Sequence, residues 1–584
     1  EVSTTTTNPM WNVLQTNLSK HTCQFSDFPW PETTPTFPSK DDMDWYLQAY
    51  AEEFLLDNGE TTTLEDGIRN DGSMCSFLYD CKVTKISPII ANNNDNSNNN
   101  LSILLGENGY KVEWTDSVDE TQHSKEFGGV VLATGFFSKP KYPSGLIPEL
   151  EQRWKKQSGS QIFPMEILHS MEYSSHEKFA PAETAQPKKI VVAGSSHSAL
   201  EIAVDLTKSA EHPVTVVMPT IPWVVPRYVP SSNKDSSSFL PIDLALYQRT
   251  HDYGMSKQET TMMTSESCRK KNKYLKALLG PKQDKILPVP LSSFDLPPMV
   301  AISDLFLDLV VDGRIRVLQG RLEGLTKDGT GLRISSRDNK NKEEIISDVT
   351  SLICCTGYSP NMESCFGSDK ENDVDPAHEK NNGLPSNSIL ETIQYDSKDA
   401  FYPMTTYLET LHPQLYNMAF VGMYRGQYMG IAELQARLAA EYLSGKSNLS
   451  RDQFQRGLET STAIRNQIPR PQFPRFDYVG FMDSLTRSLS PEFPRENTNV
   501  GDMVTPAFYQ PDIKHAEKAK SDLDNEVKKG KSHLPGIVTS TLIGNWSFER
   551  DIVHFDSGGK SIVQRQYIHG KVNYSRSKDH KTVR

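Results

Sequence analysis

The sequence lacks the features that mark several classes of protein. Its 584 residues contain no uninterrupted apolar run of 18 or more, so no helix is predicted to cross a bilayer. Its seven cysteines are odd in number and form no CxxC pair, which disfavours a disulfide scaffold and a structural zinc site. With 62 Lys+Arg against 74 Asp+Glu, the net charge of −12 disfavours a nucleic-acid binder. We therefore expect no metal site, no nucleic-acid partner, no transmembrane segment and a cytoplasmic location.

The chain is too long for one ordinary domain, and its ends suggest a piece of a longer protein. The length predicts two to four units. The first residue is Glu1 rather than Met, and no signal-peptide pattern follows it. Arg584 ends the chain within a β-rich segment. We expect a fragment at both ends.

The apolar pattern through the middle of the chain alternates buried strands with helices. Residues 129–135 and 189–194 are short apolar runs that predict buried strands. Residues 198–208 predict a helix, and 214–218 a further strand, which completes a βαβ unit of about 30 residues. Earlier in the chain, Ser39 is predicted to cap an amphipathic helix that runs to Phe54. The alternation predicts an α/β fold.

Residues 194–199, Gly-Ser-Ser-His-Ser-Ala, lie where the first strand of this unit turns into its helix. Small residues at such a turn let backbone N–H groups and the helix dipole reach a pyrophosphate. Ser196 stands where a second glycine is expected, so an ordinary tight strand–helix turn stays open as the alternative. We predict a nucleotide site here.

Two further strand ends carry the same dipeptide. Thr134-Gly135 and Thr356-Gly357 each follow an apolar run, and they flank the βαβ unit. Each alone is an ordinary strand end. Together they suggest one domain inserted into another, which predicts two nested Rossmann-like dinucleotide-binding domains and a partial C-terminal β segment.

A third stretch places Phe163, His169 and Tyr173 at spacings of six and four. Taken alone, His169 is better explained as a loop histidine that hydrogen-bonds locally. The adjacent Cys354 and Cys355 are expected to pack in a core, since neighbouring thiols form only a strained bridge. No catalytic triad, metal cluster or Walker loop is indicated by spacing.

Taken in order, these motifs resemble those of the flavin-containing monooxygenases over roughly residues 9–510. Residues 10–17, 25–29 and 37–39 are similar to the family's early segments, and 129–140 to its first linker. Residues 163–173 are similar to its FxGxxxHxxx(Y/F) motif, with Met165 where glycine is expected. Residues 194–199 match its NADPH fingerprint, 355–358 its ATGY motif, and 420–437 its flavin-facing helix. Residues 541–550 weakly resemble the opening of a lipocalin-like β-barrel domain.

The resemblance implies that NADPH reduces FAD, that O2 adds to the reduced flavin, and that the resulting hydroperoxide oxygenates a soft nucleophile. Tertiary amines and sulfides are the family's substrates, and a homodimer is a further expectation. Asn17 matches the position nearest the reacting flavin edge and is the predicted catalytic residue. The predicted cofactor-binding residues are Thr16, Asn17, Thr134, Gly135, His169, Gly194, Ser196, His197, Ser198, Ala199, Leu200, Glu201, Arg227, Thr356, Gly357, Glu433 and Gln435.

The choice of nicotinamide cofactor depends on a cation near the end of the second strand. A 2′-phosphate favours Arg or Lys there, but no Lys or Arg follows residue 214 before Arg227. NADPH is expected from the resemblance, and NADH stays an alternative.

The resemblance also implies domain boundaries. The FAD-binding domain is expected at 1–140 and 351–445, with the NADPH-binding domain at 141–350, including a helical insertion at 228–300. A helical extension and linker follow at 446–540, and a β-barrel-like segment at 541–584. The family's first glycine-rich FAD fingerprint is missing, and we expect it upstream of residue 1.

Three other functions stay open at this point. A Baeyer–Villiger monooxygenase shares the fold and both linkers, although its motif ends in Trp where this chain has Tyr173. An N-hydroxylase of amino-acid side chains carries a similar strand end to residues 355–358. A non-catalytic nucleotide-binding scaffold would account for the missing fingerprint together with Ser196 and Met165.

Overall fold

The computed structural model describes residues 10–55, 67–68, 74–75, 77–89, 104–143, 165–180, 188–230, 239–249, 263–336, 343–367, 388–426, 429–475, 477–489, 499–530, 544–555 and 562–574. Phe163 and residues 541–543 lie outside these ranges. The chain divides into two compact units. The larger comprises Glu1–Arg227 with Pro241–Ala519, and the smaller comprises Tyr228–Leu240 with Lys520–Arg584.

The first helix shows how local sequence fixes an element. Helix α1 is Lys40–Leu55. The Oγ of Ser39 accepts the backbone N–H of Asp42 at 3.2 Å, while the Asp42 carboxylate accepts the backbone N–H of Ser39 at 2.8 Å. This reciprocal pair satisfies two backbone donors at the helix start, so the predicted cap is confirmed. The other helices are α2 His197–Leu206, α3 Ile242–Leu246, α4 Ser265–Leu279, α5 Pro281–Ile286, α6 Phe306–Val311, α7 Ser388–Thr392, α8 Met429–Leu443, α9 Arg451–Asn466, α10 Tyr478–Arg487 and α11 Ile513–Gly530.

A seven-stranded sheet is the centre of the larger unit. Its order is β17-β16-β15-β10-β9-β18-β8. The strands are β8 Glu166–His169, β9 Ile190–Ala193, β10 Val214–Met218, β15 Ile315–Leu325, β16 Leu332–Ser336, β17 Glu343–Ile346 and β18 Ser351–Cys354. The five from β15 to β8 run parallel, and β16 and β17 are antiparallel at one edge. Every residue of β9 and β10 is buried, as expected for parallel strands covered on both faces.

Helix α2 connects β9 to β10 and completes the predicted βαβ unit. Its buried residues are Ala199, Leu200, Ile202, Ala203, Asp205 and Leu206. Spacings of three and four place these side chains on one face of the helix. The helix begins one residue earlier than the sequence pattern indicated.

The sheet lies within the chain between two strands of a separate pair. Strand β6, Val130–Leu132, runs parallel to β20, Met418–Phe420, and all seven sheet strands fall between them in sequence. Residues that join the two parts also pair: β7, Lys139–Pro140, is antiparallel to β19, Tyr358–Ser359. The nested α/β architecture is therefore confirmed. Strand β18 belongs to the seven-stranded sheet, although the predicted boundary at 350/351 assigned it to the outer domain. The sequence missed β8 as a strand.

An antiparallel sheet of β3 Cys81–Pro88, β4 Tyr110–Asp116 and β5 Gln122–Phe127 precedes β6. A core cluster joins its inner face to the β6–β20 pair and includes Ile86, Tyr110, Leu132 and Phe420. The remaining paired strands are β1 Gly67–Ile68 with β2 Met74–Cys75, β11 Trp223–Val225 with β14 Val300–Ile302, and β12 Tyr228–Pro230 with β13 Phe239–Pro241.

The C-terminal β segment forms one antiparallel pair. Strand β21, Gly544–Phe555, pairs with β22, Ile562–Tyr574, and the register shifts between His554 and Phe555. Apolar alternation from Leu542 predicted a β segment here, and two strands are present from residue 544. The lipocalin-like resemblance is not confirmed.

Candidate functional site

The turn after β9 requires glycine for a steric reason. Gly194 has φ +152°, and a Cβ placed on it would lie 2.4 Å from the carbonyl oxygen of Cys355 at the end of β18. Its N–H donates to the carbonyl of Val217 on β10 at 2.9 Å. The turn therefore sits against both neighbouring strands at the carboxyl edge of the sheet, where ligands bind in open α/β folds. We call residues 194–199 the dinucleotide turn.

The amino end of α2 is open to an acceptor. Ser196 is the N-cap residue in an extended conformation, and its side chain makes no capping hydrogen bond. Backbone N–H groups in a first helical turn have no acceptor within the helix, and the helix dipole adds positive potential there. Ala199 and Leu200 are fully buried in the core. Contacts from the predicted residues Ser196, His197 and Ser198 to an anion would therefore be made largely by backbone.

His197 is held in one tautomer. Its Nδ1 accepts the backbone N–H of Ile302 at 2.8 Å, so the ring proton resides on Nε2. Burial and, to a smaller extent, the nearby charge of Arg227 lower the pKa of His197 to about 4. His197 is neutral at pH 7 and contributes no charge to the turn.

Arg227 bonds three other predicted residues, Thr16, Asn17 and Glu201. Its Nε donates to the carbonyl of Thr16 at 3.1 Å, and its Nη2 donates to Oδ1 of Asn17 at 3.3 Å and to Oε2 of Glu201 at 3.0 Å. Nη1 and the backbone N–H both donate to the Asp304 carboxylate at 2.8 Å. Arg227 is 7% exposed, and its pKa is raised by the two carboxylates against the opposing effect of burial.

We call Thr16, Asn17, Glu201, Arg227 and Asp304 the Arg227 cluster. Four of the five were predicted as cofactor-binding, and the structure brings those four together. The sequence did not indicate Asp304, which is 77 residues from Arg227. A carboxylate just after an apolar run at 300–302 was the one available signal.

A second group lies where the chain passes between the inserted domain and the outer strands. His169 is fully buried. Its Nδ1 accepts the N–H of Met171 at 3.2 Å, so Nε2 donates to the carbonyl of Gly357 at 3.0 Å. The same carbonyl accepts the N–H of Lys141 at 2.9 Å, and Thr356 Oγ1 donates to the Lys141 carbonyl. Burial lowers the pKa of His169. His169, Thr356 and Gly357 thus come together.

The third group surrounds the β6–β20 pair. Gly135 has φ +77° and Gly357 has φ +83°, and a Cβ on either would meet no atom within 4 Å. Their need for glycine is conformational rather than steric. Thr134 Oγ1 lies 3.5 Å from the sulfur of Met423.

Helix α8 fixes two loops through the predicted residues Glu433 and Gln435. Gln435 is fully buried; its Oε1 accepts the Gly422 N–H at 3.0 Å, and its Nε2 donates to the Leu408 carbonyl at 3.2 Å. Glu433 accepts the N–H of Ser26 at 2.7 Å and Nε of Arg437 at 3.0 Å. Both side chains therefore bind protein groups in this structure. The predicted residues form three groups: the dinucleotide turn with the Arg227 cluster, the chain crossing with His169, and the β6–β20 pair with α8.

Two kinds of feature, metal-ligand clusters and membrane-spanning helices, can be looked for in the described residues. Among the described residues, no group of three His, Cys, Asp or Glu side chains is placed to hold a metal ion. Within the same ranges, no helix combines the length and apolar composition needed to cross a membrane.

Residues 107–306 match the family described as flavin-binding monooxygenase-like. These residues contain β6, the dinucleotide turn and the whole Arg227 cluster except Thr16 and Asn17. The resemblance to flavin-containing monooxygenases is confirmed. The match also confirms a flavin among the predicted cofactors.

Two curated relatives from Arabidopsis thaliana differ in how much they share with the chain. The probable indole-3-pyruvate monooxygenase YUCCA7 is 23% identical over 397 residues, covering 65% of this chain and 70% of the relative. Probable flavin-containing monooxygenase 1 is 29% identical over 214 residues, covering 35% of this chain and 36% of the relative. The chain thus spans only about a third of the second relative.

Among solved structures, cyclohexanone monooxygenase from Rhodococcus sp. Phi1 bound to NADP+ is similar with a TM-score of 0.47 and 12% identity. The similarity covers 89% of this chain and 90% of that chain.

The residues present fit a dinucleotide at one place and a flavin in part. The dinucleotide turn offers a glycine in close contact with the sheet and an uncapped helix start. On the flavin side, Thr134, Gly422 and the first turn of α8 follow the carboxyl ends of β6 and β20. A second strand–glycine turn–helix unit, which would hold the FAD pyrophosphate, is not among the described residues that precede β6.

Proposed function

We propose that the chain is part of a monooxygenase that uses NADPH, FAD and O2 to oxygenate a soft nucleophile. The nucleophile would be a tertiary amine nitrogen, as in N,N-dimethylaniline, or a sulfide sulfur. The observation that supports this most is the dinucleotide turn, with Gly194 pressed against Cys355, in a sheet inserted between β6 and β20. The flavin-binding family match covers residues 107–306, which include β6 and the dinucleotide turn. It supports a redox role for that nucleotide.

The roles of individual residues follow from their positions. Backbone N–H groups at the start of α2 would hold the NADPH pyrophosphate. Thr134, Gly422 and α8 would border the flavin, with the positive end of the α8 dipole toward it. The reduced flavin, when bound, supplies the activation of O2. The protein needs no acid–base pair for this chemistry. It has to exclude water and offer a hydrogen-bond donor, which we assign to the amide of Asn17.

The surroundings of Arg227 affect the expected preference for NADPH over NADH. Arg227 was the first cation after β10, but its guanidinium already donates to two carboxylates and two amide-type oxygens. No Lys or Arg occurs between Lys208 and Arg227 in the sequence. We therefore propose that discrimination for the 2′-phosphate is weak, with kcat/KM values for NADPH and NADH within about tenfold of each other.

The test of nucleotide binding uses Ser198 rather than Ala199. Ala199 is fully buried, so a glutamate there would disrupt the core as well as any phosphate contact. Ser198 is partly exposed in the first turn of α2. A glutamate at that position stabilises the helix start by about 0.5 kcal/mol but repels a pyrophosphate. Ser198→Glu should lower NADPH affinity at least tenfold in a fluorescence titration.

The matched control is Ser198→Gln, which has the same size without the charge. We expect it to bind NADPH within about threefold of the wild type, and both variants to melt within about 2 °C of it. Equal NADPH binding by Ser198→Glu and the wild type would place the nucleotide elsewhere.

A substrate panel distinguishes the proposed reaction from its alternatives. Oxygenated product per NADPH consumed would be measured with N,N-dimethylaniline, an alkyl aryl sulfide, a cyclic ketone and ornithine. Turnover of the first two supports the proposal. Turnover of the ketone alone indicates a Baeyer–Villiger enzyme, and turnover of ornithine alone indicates an N-hydroxylase. NADPH binding without oxidation under flavin saturation indicates a scaffold. A cytoplasmic location and a homodimer also stay predictions.

A further inference from the structure

The Arg227 guanidinium connects the early segment of the chain to the inserted sheet. Thr16 and Asn17 lie in the early segment, Glu201 lies on α2, and Asp304 lies between β14 and α6. All four are bonded to one side chain that is 7% exposed. The segment is also held independently of Arg227, because the hydroxyls of Ser19 and Thr22 both donate to the Asp243 carboxylate at 2.6 Å.

The contact with Asn17 fixes the orientation of its amide. A guanidinium carries only donors, so the atom of Asn17 that faces Nη2 at 3.3 Å has to be the oxygen. The two Nδ2 hydrogens then point away from Arg227. A free amide is able to present either end to a ligand, whereas this one presents its donor end.

The charges around Arg227 explain why the contact is stable. Glu201 and Asp304 together place two negative charges against one positive charge. The charge of the guanidinium is therefore fully balanced, and its planar fork is matched to four acceptors in three parts of the chain. Lysine could supply the charge at this position but not the fork.

We propose that Arg227 is a positioning residue: it binds Oδ1 of Asn17 and so directs the Asn17 amide hydrogens toward the reacting oxygen. This inference rests on the proposed function. It assigns to Arg227 a role other than reading the 2′-phosphate, and it assigns to Asp304 and Glu201 the role of holding Arg227 in place.

The first test needs no cofactor. Hydrogen exchange of the chain as isolated, measured by mass spectrometry for peptides within residues 11–24, reports on attachment of the early segment. In Arg227→Gln we expect exchange there to be at least tenfold faster than in the wild type. Arg316→Gln is the control, because Arg316 forms an exposed pair with Glu344; it should leave those peptides unchanged. Unchanged exchange in Arg227→Gln would overturn the tether.

Arg227→Lys serves if Arg227→Gln does not fold. It keeps the charge beside Glu201 and Asp304 but cannot reach all the acceptors at once. We expect faster exchange in these peptides than in the wild type, and wild-type protection in Arg227→Lys would overturn the need for the fork.

The second test separates tethering from orientation. Asn17→Asp keeps an oxygen for Arg227 but has no amide hydrogens, so we expect wild-type exchange protection together with at least a tenfold fall in oxygenated product per NADPH. For Arg227→Lys we expect a similar fall in product per NADPH, with the missing reducing equivalents recovered as hydrogen peroxide. The rate of flavin reduction should stay within about twofold of the wild-type rate. Wild-type coupling in either variant would overturn the positioning role. If the wild type oxygenates nothing, the proposed function fails, and the exchange measurements still decide the tether.

Discussion

The dinucleotide turn and the β6–β20 pair are both strand ends with glycines, yet they are held in different ways. Gly194 lies in a seven-stranded sheet and is fixed by backbone packing, with the Cys355 carbonyl 2.4 Å from where a Cβ would be. Gly135 and Gly422 follow a two-stranded pair and have open space around them. There the backbone is secured by side chains such as Gln435. A sheet interior tolerates no added atom, whereas a two-stranded pair depends on its side-chain bridges.

The sharpest test of this contrast is a pair of alanine substitutions. Gly194→Ala forces β9 away from β18, and overpacking of this kind costs about 3 kcal/mol of unfolding free energy. NADPH affinity should fall with it. Gly135→Ala meets no atom and suffers only the conformational cost of positive φ, about 1 kcal/mol. Urea denaturation of both variants gives the two losses, and equal values would contradict the contrast.

A pH series tests the sheet side through His197. Its pKa is about 4 in the folded chain and about 6.5 in an unfolded chain. Below pH 6.5 the unfolded chain takes up a proton that the folded chain excludes, so stability is full above that pH and is lost as the pH falls toward 4. The loss between pH 7 and pH 5 is about 2 kcal/mol.

The control for this series is His197→Asn, whose side-chain oxygen is still able to accept the Ile302 N–H. Because the pKa of His412 is also lowered to about 4 by burial, the wild type and the variant have to be compared over the same pH range. A pH dependence as steep in His197→Asn as in the wild type would assign the effect to other histidines.

On the β6–β20 side, Gln435→Leu removes the bridge between Gly422 and Leu408. It leaves the partly buried Gly422 N–H without its acceptor, and such a loss costs about 1–2 kcal/mol. Flavin affinity should fall more than NADPH affinity, the reverse of Gly194→Ala. Gln455→Leu on α9 is the control, because Gln455 is exposed and bonds Glu459 on the same helix. A greater loss of NADPH affinity than of flavin affinity in Gln435→Leu would show that the two sides are not independent.

Much of the fold was predictable where burial is continuous. The runs at 189–194 and 214–218 are apolar except for Lys189 and Thr215, and the observed β9 and β10 agree with them within a residue at each end. Strand β5 could not be found in this way, because all six of its residues are exposed and a strand without a buried face has no hydrophobic alternation. Strand β8 was missed for a related reason. Its end residues, Glu166 and His169, are polar, so only two apolar residues lie between them.

Most residues of the candidate site could be predicted from the sequence, but the hydrogen bonds between them could not. Motif order identified Asn17, Glu201 and Arg227 separately. That Arg227 bonds Asn17 across 210 positions depends on how an early segment packs on a later sheet, and no local pattern carries that information. Asp304 was missed because a single carboxylate in a loop is ordinary until its partner is known. Gln435 was among the predicted residues, but its partners, backbone groups 13 and 27 residues away, could not be predicted.

The short pairing of β7 with β19 has a consequence for how such a chain can be rearranged. The chain enters the inserted part after Lys139–Pro140 and leaves it before Tyr358–Ser359. These two segments are hydrogen-bonded to each other. Entry and exit are therefore neighbours, so the strands on either side keep their places whatever length of chain is looped out between them. A foreign domain whose own termini are adjacent could be grafted at these two points. Recombination there would exchange the whole inserted sheet in a single event.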